Sequence, residues 1–270
     1  MGDQINNYIE NSFNLHQAYS YILLLQVEAS SFNYAVISNN RLLASEQNCD
    51  LQELFHPEKF GDLLTAKYKK VIVGLPGNAL TLVPKSLFKE DHVAGIARLL
   101  DVKETEKVLA QTLDDQNIII YKTNSELVSA VEKFDLKNTV YTASGWITAI
   151  AESYPSDSNL YLEIGKDTVQ LLYFSSNKLR FYNTFEFKSA DDLVYFTALV
   201  ADELQLIPEQ TTLILSGDVN LDDSYIKKLA DFYPNIEINS ISVLELPAQI
   251  DAHKLLALAS LSLCESSVVL

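Results

Sequence analysis

The sequence is short of the residues that carry most protein chemistry. It holds 2 cysteines, 4 histidines, 1 methionine and 1 tryptophan in 270 residues. Cys49 and Cys264 lie far apart and match no CxxC spacing, which excludes a disulfide framework and a thiolate zinc site; both read as packed small hydrophobes. His16, His56, His92 and His253 are scattered, and none pairs at helical spacing with another ligand in a way that suggests zinc, so no metal site is expected. Basic residues are also scarce, 20 against 36 acidic ones, for a formal charge of −16. That balance argues against a nucleic-acid backbone, which needs clustered Lys and Arg, and against an anionic membrane surface. No apolar run approaches the roughly 20 residues of a membrane span; the longest candidate is Leu255–Leu263. The start, Met1-Gly2-Asp3-Gln4, has no basic n-region, so no signal peptide and a cytoplasmic protein are expected.

What the chain does have is a repeat. Ile22–Glu46 reads ILLLQVEASSFNYAVISNNRLLASE and Asn159–Thr184 reads NLYLEIGKDTVQLLYFSSNKLRFYNT. Aligned without a gap at a constant offset (163 − 26 = 137), Gln26 falls on Glu163, Ser31 on Thr168 and Arg41 on Lys178. Each stretch is an apolar strand ending at a polar residue, a tight turn, a second strand, a Ser-Asn turn and a third strand. The duplication predicts two lobes with a cleft between them.

Residues 1–19 read as a polar N-terminal arm with one short strand or turn. After the first meander, Leu51–Tyr68 is expected to be partly helical. Lys70–Gly74 and Asn78–Pro84 read as two strands around the Leu75-Pro76-Gly77 turn, and Lys89–Asp101 as a helix. Asn117–Tyr121 is a strand, Ser125–Phe134 a helix capped by Asn124, and Thr139–Tyr141 a strand. A helix over Gly145–Ser153 ends before Tyr154-Pro155-Ser156-Asp157-Ser158, a polar Pro-containing segment that sets the domain boundary: a first lobe with its arm over 1–154 and a second over 155–270. In the second half, Ser189 caps a helix with Asp191 and Asp192 in its first turn. Strand Thr212–Leu215, helix Ser224–Phe232, strand Ile236–Ile238 and an apolar helix Ala252–Cys264 follow. Alternating strands and helices imply an α/β fold with a mixed sheet in each lobe, opened by an antiparallel three-strand meander. Tyr173, Phe174, Phe181, Tyr182, Phe185 and Phe187 cluster on the second meander. Because strand side chains alternate between faces, some of these aromatics are candidates for an interaction surface unless a helix covers them.

This order of elements resembles the actin-like ATPase superfamily, the actin, Hsp70 and sugar-kinase fold built on two ribonuclease H-like halves. The resemblance extends over about Tyr21 to Cys264. In that family the turn after the first strand of each lobe holds ATP phosphates through an Asp-x-Gly pattern, and a later strand ends in a glycine-rich turn that meets the adenosine. Val27–Ser31, Glu163–Thr168 and Leu213–Asp218 occupy those places. Among relatives the chain resembles the pilus-assembly and type II secretion scaffold proteins, or an uncharacterised bacterial family with this fold.

The departures shape the functional expectation. In the first loop the acid position is Gln26 and the glycine position is Glu28, a carboxylate where a triphosphate would need backbone N–H groups. The second loop keeps Glu163, Gly165 and Thr168 but has Lys166 and Asp167 where further glycines would stand. The adenosine turn keeps Gly217, followed by Asp218. The degenerate nucleotide-binding candidates are thus Gln26, Glu28, Glu163, Gly165, Asp167, Thr168 and Gly217, with no catalytic residue and no metal ligand. The resemblance implies a pseudo-ATPase scaffold or interaction module that takes a protein partner or a second copy, with no cofactor. It leaves open a divergent ATPase or small-molecule kinase using ATP and Mg²⁺ through Glu163, Gly165, Thr168 and Gly217. Other motifs carry less. Ser86-x-x-Lys89 and Ser224-x-x-Lys227 lack the partner triplets of serine acyl enzymes. Gly74-Leu75-Pro76-Gly77 fails P-loop spacing. A nuclease would need several carboxylates around two metals.

Overall fold

The computed structural model describes residues 7–134, 138–264 and 268–269; part of the N-terminal arm, residues 1–6, lies outside them. Two compact units form. The first comprises Met1–Thr148, Leu244–Pro247 and Leu258–Leu270, and the second Ala149–Val243 and Ala248–Ala257.

The first unit is built on a six-stranded sheet. Its meander is β2 (Ile22–Val27), β3 (Ser31–Ser38) and β4 (Arg41–Asp50), extended by β1 (Asn7–Ile9), β5 (Lys70–Leu75) and β9 (Thr139–Tyr141), in the order β1-β4-β3-β2-β5-β9. Strands β2, β5 and β9 run parallel and the meander antiparallel. The continuous apolar run of β2 leaves Leu23, Leu24 and Leu25 without solvent exposure, as a central strand covered on both faces requires. Short helices α1 (Gln52–Phe55) and α2 (Gly61–Thr65) follow β4. Pro57 stands between them, where a helix interior would lose an N–H and gain a clash.

The second unit repeats the plan. Strands β10 (Asn159–Ile164), β11 (Thr168–Ser175), β12 (Lys178–Glu186), β13 (Thr212–Gly217) and β14 (Asn235–Ile238) form a sheet in the order β12-β11-β10-β13-β14. The offset read from the sequence holds in space: β10 and β11 begin and end at the residues that match the ends of β2 and β3. Each outer strand bulges at the same place. Leu43 is the extra residue between the Val36–Ala44 and Ile37–Leu42 pairs, and Arg180 between Tyr173–Phe181 and Phe174–Leu179. Helices α6 (Ala190–Glu203) and α7 (Ser224–Ala230) contribute Leu193, Val194, Val200, Ala201, Ile226 and Leu229 to a core shared with Leu160, Leu162, Val169, Leu171, Leu213 and Leu215. Ser189 caps α6 in a complete capping box with Asp192. The chain also forms α5 (Ser144–Glu152) and α8 (Ala252–Ser260), the latter ending in a 3-10 turn over Leu261–Leu263.

Between β5 and β9 the first unit carries an insertion. Its strands β6 (Ala79–Pro84), β7 (Glu106–Thr112) and β8 (Asn117–Asn124), with β15 (Val268–Val269), form a third sheet, β15-β7-β8-β6. The two strands expected around Leu75-Pro76-Gly77 are present as β5 and β6; the turn between them separates two sheets, and β6 pairs with β8. The helix expected over Lys89–Asp101 is corrected to a single α turn, α3 (Val93–Ala97), flanked by 3-10 segments and ended by the left-handed Asp101, φ 49°. Helix α4 (Ser125–Val131) is capped by Asn124, whose Oδ1 accepts the Glu126 N–H at 2.8 Å. The buried Gln111 side chain stitches β7 to the edge of β9, donating to the Thr139 carbonyl at 2.9 Å and accepting from the Tyr141 N–H at 2.6 Å.

The meander aromatics are covered. Tyr173, Phe174, Tyr182 and Phe187 are buried, and Phe181 and Phe185 pack against the core. Exposed large apolar side chains of this unit lie elsewhere: Tyr195 and Leu199 on α6, and Tyr154, Ile207, Leu221 and Phe232.

Candidate functional site

The seven candidate residues fall at the turns that follow the first strands and at the end of β13. In the first unit, β2 hands over to β3 through a turn at 28–30. The Glu28 N–H donates to the Ser31 carbonyl at 2.9 Å and closes the hairpin. Its carboxylate folds back onto the same turn, accepting from Ser31 Oγ at 3.0 Å and from Asn33 Nδ2 at 2.9 Å. Asn33 is buried and does more than anchor this acid. Its Nδ2 lies 3.4 Å from Gln26 Oε1, and its Oδ1 accepts the Asn48 N–H at 2.8 Å, where φ is +58° and β4 departs from regular pairing. One amide thus ties together Gln26, Glu28 and the far end of the third strand.

In the second unit the equivalent turn, at 165–167, has the same length. The Gly165 N–H donates to the Thr168 carbonyl at 2.8 Å, and a Cβ added to Gly165 would sit 3.1 Å from Thr168 Oγ1. Lys166 and Asp167 are exposed, and the Asp167 carbonyl takes the Phe187 N–H at 2.9 Å. Glu163 is buried, 8% exposed, opposite Gln170 on one side and Ser216 on the other. Ser216 Oγ accepts from Asn239 Nδ2 at 3.1 Å, and both are buried. A row of four polar side chains, Gln170, Glu163, Ser216 and Asn239, therefore crosses the carboxyl end of this sheet. Ligands of open α/β sheets bind at that end.

Gly217 has a local structural cause. Its φ is +90°, and a Cβ there would collide with the Ile164 carbonyl. The close approach lets the Asp218 N–H donate to that carbonyl at 2.9 Å. The following turn is tied down by its own groups: Tyr225 Oη donates to the Asp218 carbonyl at 3.2 Å, the Asn220 N–H donates to Asp223 Oδ2 at 2.7 Å, and His253 Nε2 lies 3.0 Å from the Val219 carbonyl.

Glu163, Gly165, Asp167, Thr168 and Gly217 thus share one sheet end in the second unit, while Gln26 and Glu28 share a turn in the first. Sequence reasoning missed Asn33, Gln170, Ser216 and Asn239. Asn33 and Gln170 stand at the same offset as Gln26 and Glu163, so the repeat itself held the signal for that pair. Ser216 and Asn239 lie outside the repeated stretch. Among the described residues, no group of three or more His, Cys, Asp or Glu could hold a metal ion.

The first unit also has an open cavity of about 940 Å³ bounded by Ala29, α1, Pro76 and α4. Lys133 lines it, with its Nζ donating to the Leu54 carbonyl at 2.8 Å; burial lowers the pKa of this amine.

Known structures share this architecture. A Bacteroides thetaiotaomicron protein with an actin-like ATPase fold and unknown function superposes with a TM-score of 0.78 at 18% identity, over 94% of this chain and 100% of its own. The PilM–PilN type IV pilus biogenesis complex superposes with a TM-score of 0.59 at 14% identity, over 90% and 97%. The ethanolamine utilization protein EutJ from Carboxydothermus hydrogenoformans gives 0.51 at 8% identity, over 94% and 92%. The fold is that of the actin-like ATPases. No curated protein matches the sequence. Residues 10–236 match the family described as proteins of unknown function, DUF3822, and the chain belongs to that family.

Proposed function

We propose that this chain is a non-catalytic actin-like scaffold, a pseudo-ATPase that binds a protein partner or a second copy of itself and works without ATP or Mg²⁺. One observation carries the reading: the Glu28 carboxylate, at the position the resemblance gives to a phosphate-facing glycine, is held in place by Ser31 and Asn33. Two like unit charges about 4 Å apart at an effective dielectric of about 20 repel by about 4 kcal/mol, roughly a thousandfold in affinity. The similarity to PilM supports the partner side of the reading, since that structure is a complex with another protein. No described helix is long and apolar enough to cross a membrane, and the acidic balance disfavours nucleic acid, so the partner we assign is a protein. Calorimetry with Mg²⁺-ATP and Mg²⁺-ADP is expected to show no binding up to millimolar nucleotide. Micromolar binding would overturn the proposal.

The polar row around the buried Glu163, beside Gly165 and Gly217, favours one other reading, a divergent ATPase or small-molecule kinase. ATP turnover by the wild-type protein that vanishes in Glu163→Ala would establish it.

A further inference from the structure

The two meanders follow one plan but differ at their outer edges. In the first, β4 carries β1 antiparallel on its outer side, with Ile9 opposite Ala44, Tyr8 opposite Ser45 and Asn7 opposite Glu46. Glu10 continues the pairing. Its N–H donates to the Leu43 carbonyl at 2.8 Å, and its carboxylate meets Arg41 Nη2 at 2.7 Å. In the second, β12 has β11 on one side and, among the described residues, no strand on the other.

The repeat offset maps Leu43, Ala44, Ser45 and Glu46 onto Arg180, Phe181, Tyr182 and Asn183, and Arg41 onto Lys178. The shared bulge puts Arg180 where the Leu43 carbonyl faces outward to receive Glu10. Farther along, Phe187 donates its N–H inward to Asp167, so strand alternation turns Thr184 outward. The Thr184 N–H meets only its neighbour's Asn183 Oδ1, at 2.9 Å. The edge is also chemically marked. In a chain of charge −16, Lys178 and Arg180 are exposed at one end of β12, and neither pairs with an acid among the described residues. Phe185 stacks on Phe196 at 4.8 Å between ring centroids, and Tyr195 lies edge-on to Phe196 at 5.3 Å with 60% of its surface exposed, forming an apolar shelf beside the strand.

We propose that β12 is a strand-addition site for an extended segment of a partner protein. The segment runs antiparallel to β12 opposite Phe181–Asn183, lays apolar side chains over Phe181 and Phe185, and places a carboxylate against Lys178 and Arg180. Main-chain bonds supply affinity in such complexes and side-chain pockets supply choice. The chain's own arm is already committed, because Asn7–Ile9 is paired with β4. The inference deepens the scaffold reading by naming the surface and the partner's chemistry. Nucleotide binding would end that reading and leave this edge untouched.

The test uses the full chain and a labelled peptide, Ile-Asn-Asn-Tyr-Ile-Glu-Asn, which copies residues 5–11. Fluorescence anisotropy is expected to show saturable binding. The Lys178→Glu/Arg180→Glu protein should bind about tenfold more weakly, and a peptide with Lys in place of its Glu should restore that loss. Thr184→Pro, which removes an outward N–H while keeping the ladder to β11, should also weaken binding, with circular dichroism verifying its fold. Arg41→Ala should bind as wild type. Absence of saturable binding would overturn the proposal and leave Lys178 and Arg180 as charges that merely guard an edge. So would binding that Arg41→Ala loses and the β12 variants keep, since the peptide would then be displacing β1. Sedimentation velocity should show a monomer; a dimer abolished by Thr184→Pro would put a second copy on the edge and overturn the choice of partner.

Discussion

The two units share the strand order of their central sheets and differ in what each adds at equivalent places. The first covers its outer strand with β1, locks a carboxylate into its first turn and inserts a third sheet between β5 and β9. The second leaves β12 at the sheet edge, keeps a glycine in its first turn and joins β13 to β14 through α7 alone. A duplicated fold tolerates this divergence because the buried meander fixes the frame, while turns, edges and crossovers are solvent-facing and free to change. The most informative experiments break the equivalence one position at a time.

The largest effect is expected at the end of the fourth strand. Ile164 pairs with Gly217 in the second unit, and Gln26 with Gly74 in the first, so the counterpart of Gly217 is Leu75, a fully buried side chain. The same topological position takes leucine in one unit and requires glycine in the other, because only there does the backbone turn to φ +90° against the Ile164 carbonyl. Gly217→Val should destabilise the protein by about 3 kcal/mol or more, read as a fall in the urea midpoint. A near-neutral result would mean that the turn can be rebuilt as β5 continues.

Next comes the insertion that only the first unit has. Lys122 and Glu106 form an ion pair at 3.0 Å with both side chains 9% exposed. Lys122 Nζ also donates to the Asp101 carbonyl at 2.8 Å. The Lys103 N–H, then Lys122, and less strongly Asn78, hold the Glu106 carboxyl down from 4.5 to about 2. A depressed carboxylate contributes stability that is fully present above its ordinary range and is lost as pH falls through the folded value. The wild-type protein should therefore lose stability between about pH 5 and 2, and Glu106→Gln should flatten that part of the profile. Lys122→Met, which strips a nearly buried carboxylate of its cation, should cost about 2 kcal/mol at neutral pH by chemical denaturation.

The frame was legible in the sequence and the insertion was not, for a physical reason. Strands β2 and β10 are strongly apolar, and the turns after β3 and β11 carry residues that adopt positive φ, Asn39 and Asn40 in one and Ser176 and Asn177 in the other. Local pattern and global fold agree there. Strand β7, Glu-Lys-Val-Leu-Ala-Gln-Thr, has neither alternation nor a β-branched run; pairing with β8 and the buried Gln111 contact to β9 make it a strand. Likewise Lys89–Asp101 has helical spacing, yet its apolar residues serve a small cluster around Leu100, Ala110, Ile118 and Ile120, and one α turn suffices. At the site, residue type marked Glu28 and Gly217, but what each does locally depends on partners remote in pattern: Asn33 for the acid, the Ile164 carbonyl for the glycine.

The smallest expected effect tests the helix that follows each meander. Ser189 sits at the repeat position of Gln52. In the second unit Ser189 Oγ accepts the Asp192 N–H at 3.1 Å, Asp192 returns a bond to the Ser189 N–H at 3.0 Å, and α6 runs for 14 residues. In the first unit the N-cap residues of α1 and α2, Leu51 and Phe60, make no side-chain cap bond. Asp50 Oδ1 takes the Gln52 N–H at 2.9 Å and the Glu53 carboxylate takes the Phe60 N–H at 3.1 Å, and α1 stops after 4 residues before α2 starts again beyond Pro57. Capping alone does not explain the difference, since Pro57 would interrupt a longer helix whatever preceded it. Ser189→Ala should cost about 1 kcal/mol, while Gln52→Ala should change stability by no more than about 0.5 kcal/mol. The Lys188 and Ser189 N–H bonds that lower the Asp192 pKa make the cap weaken on acidification, so the penalty of Ser189→Ala should shrink below the ordinary carboxylate range. Equal losses at Ser189 and Gln52 would show that the two helix starts are held by packing, and that the capping box contributes nothing the first unit lacks.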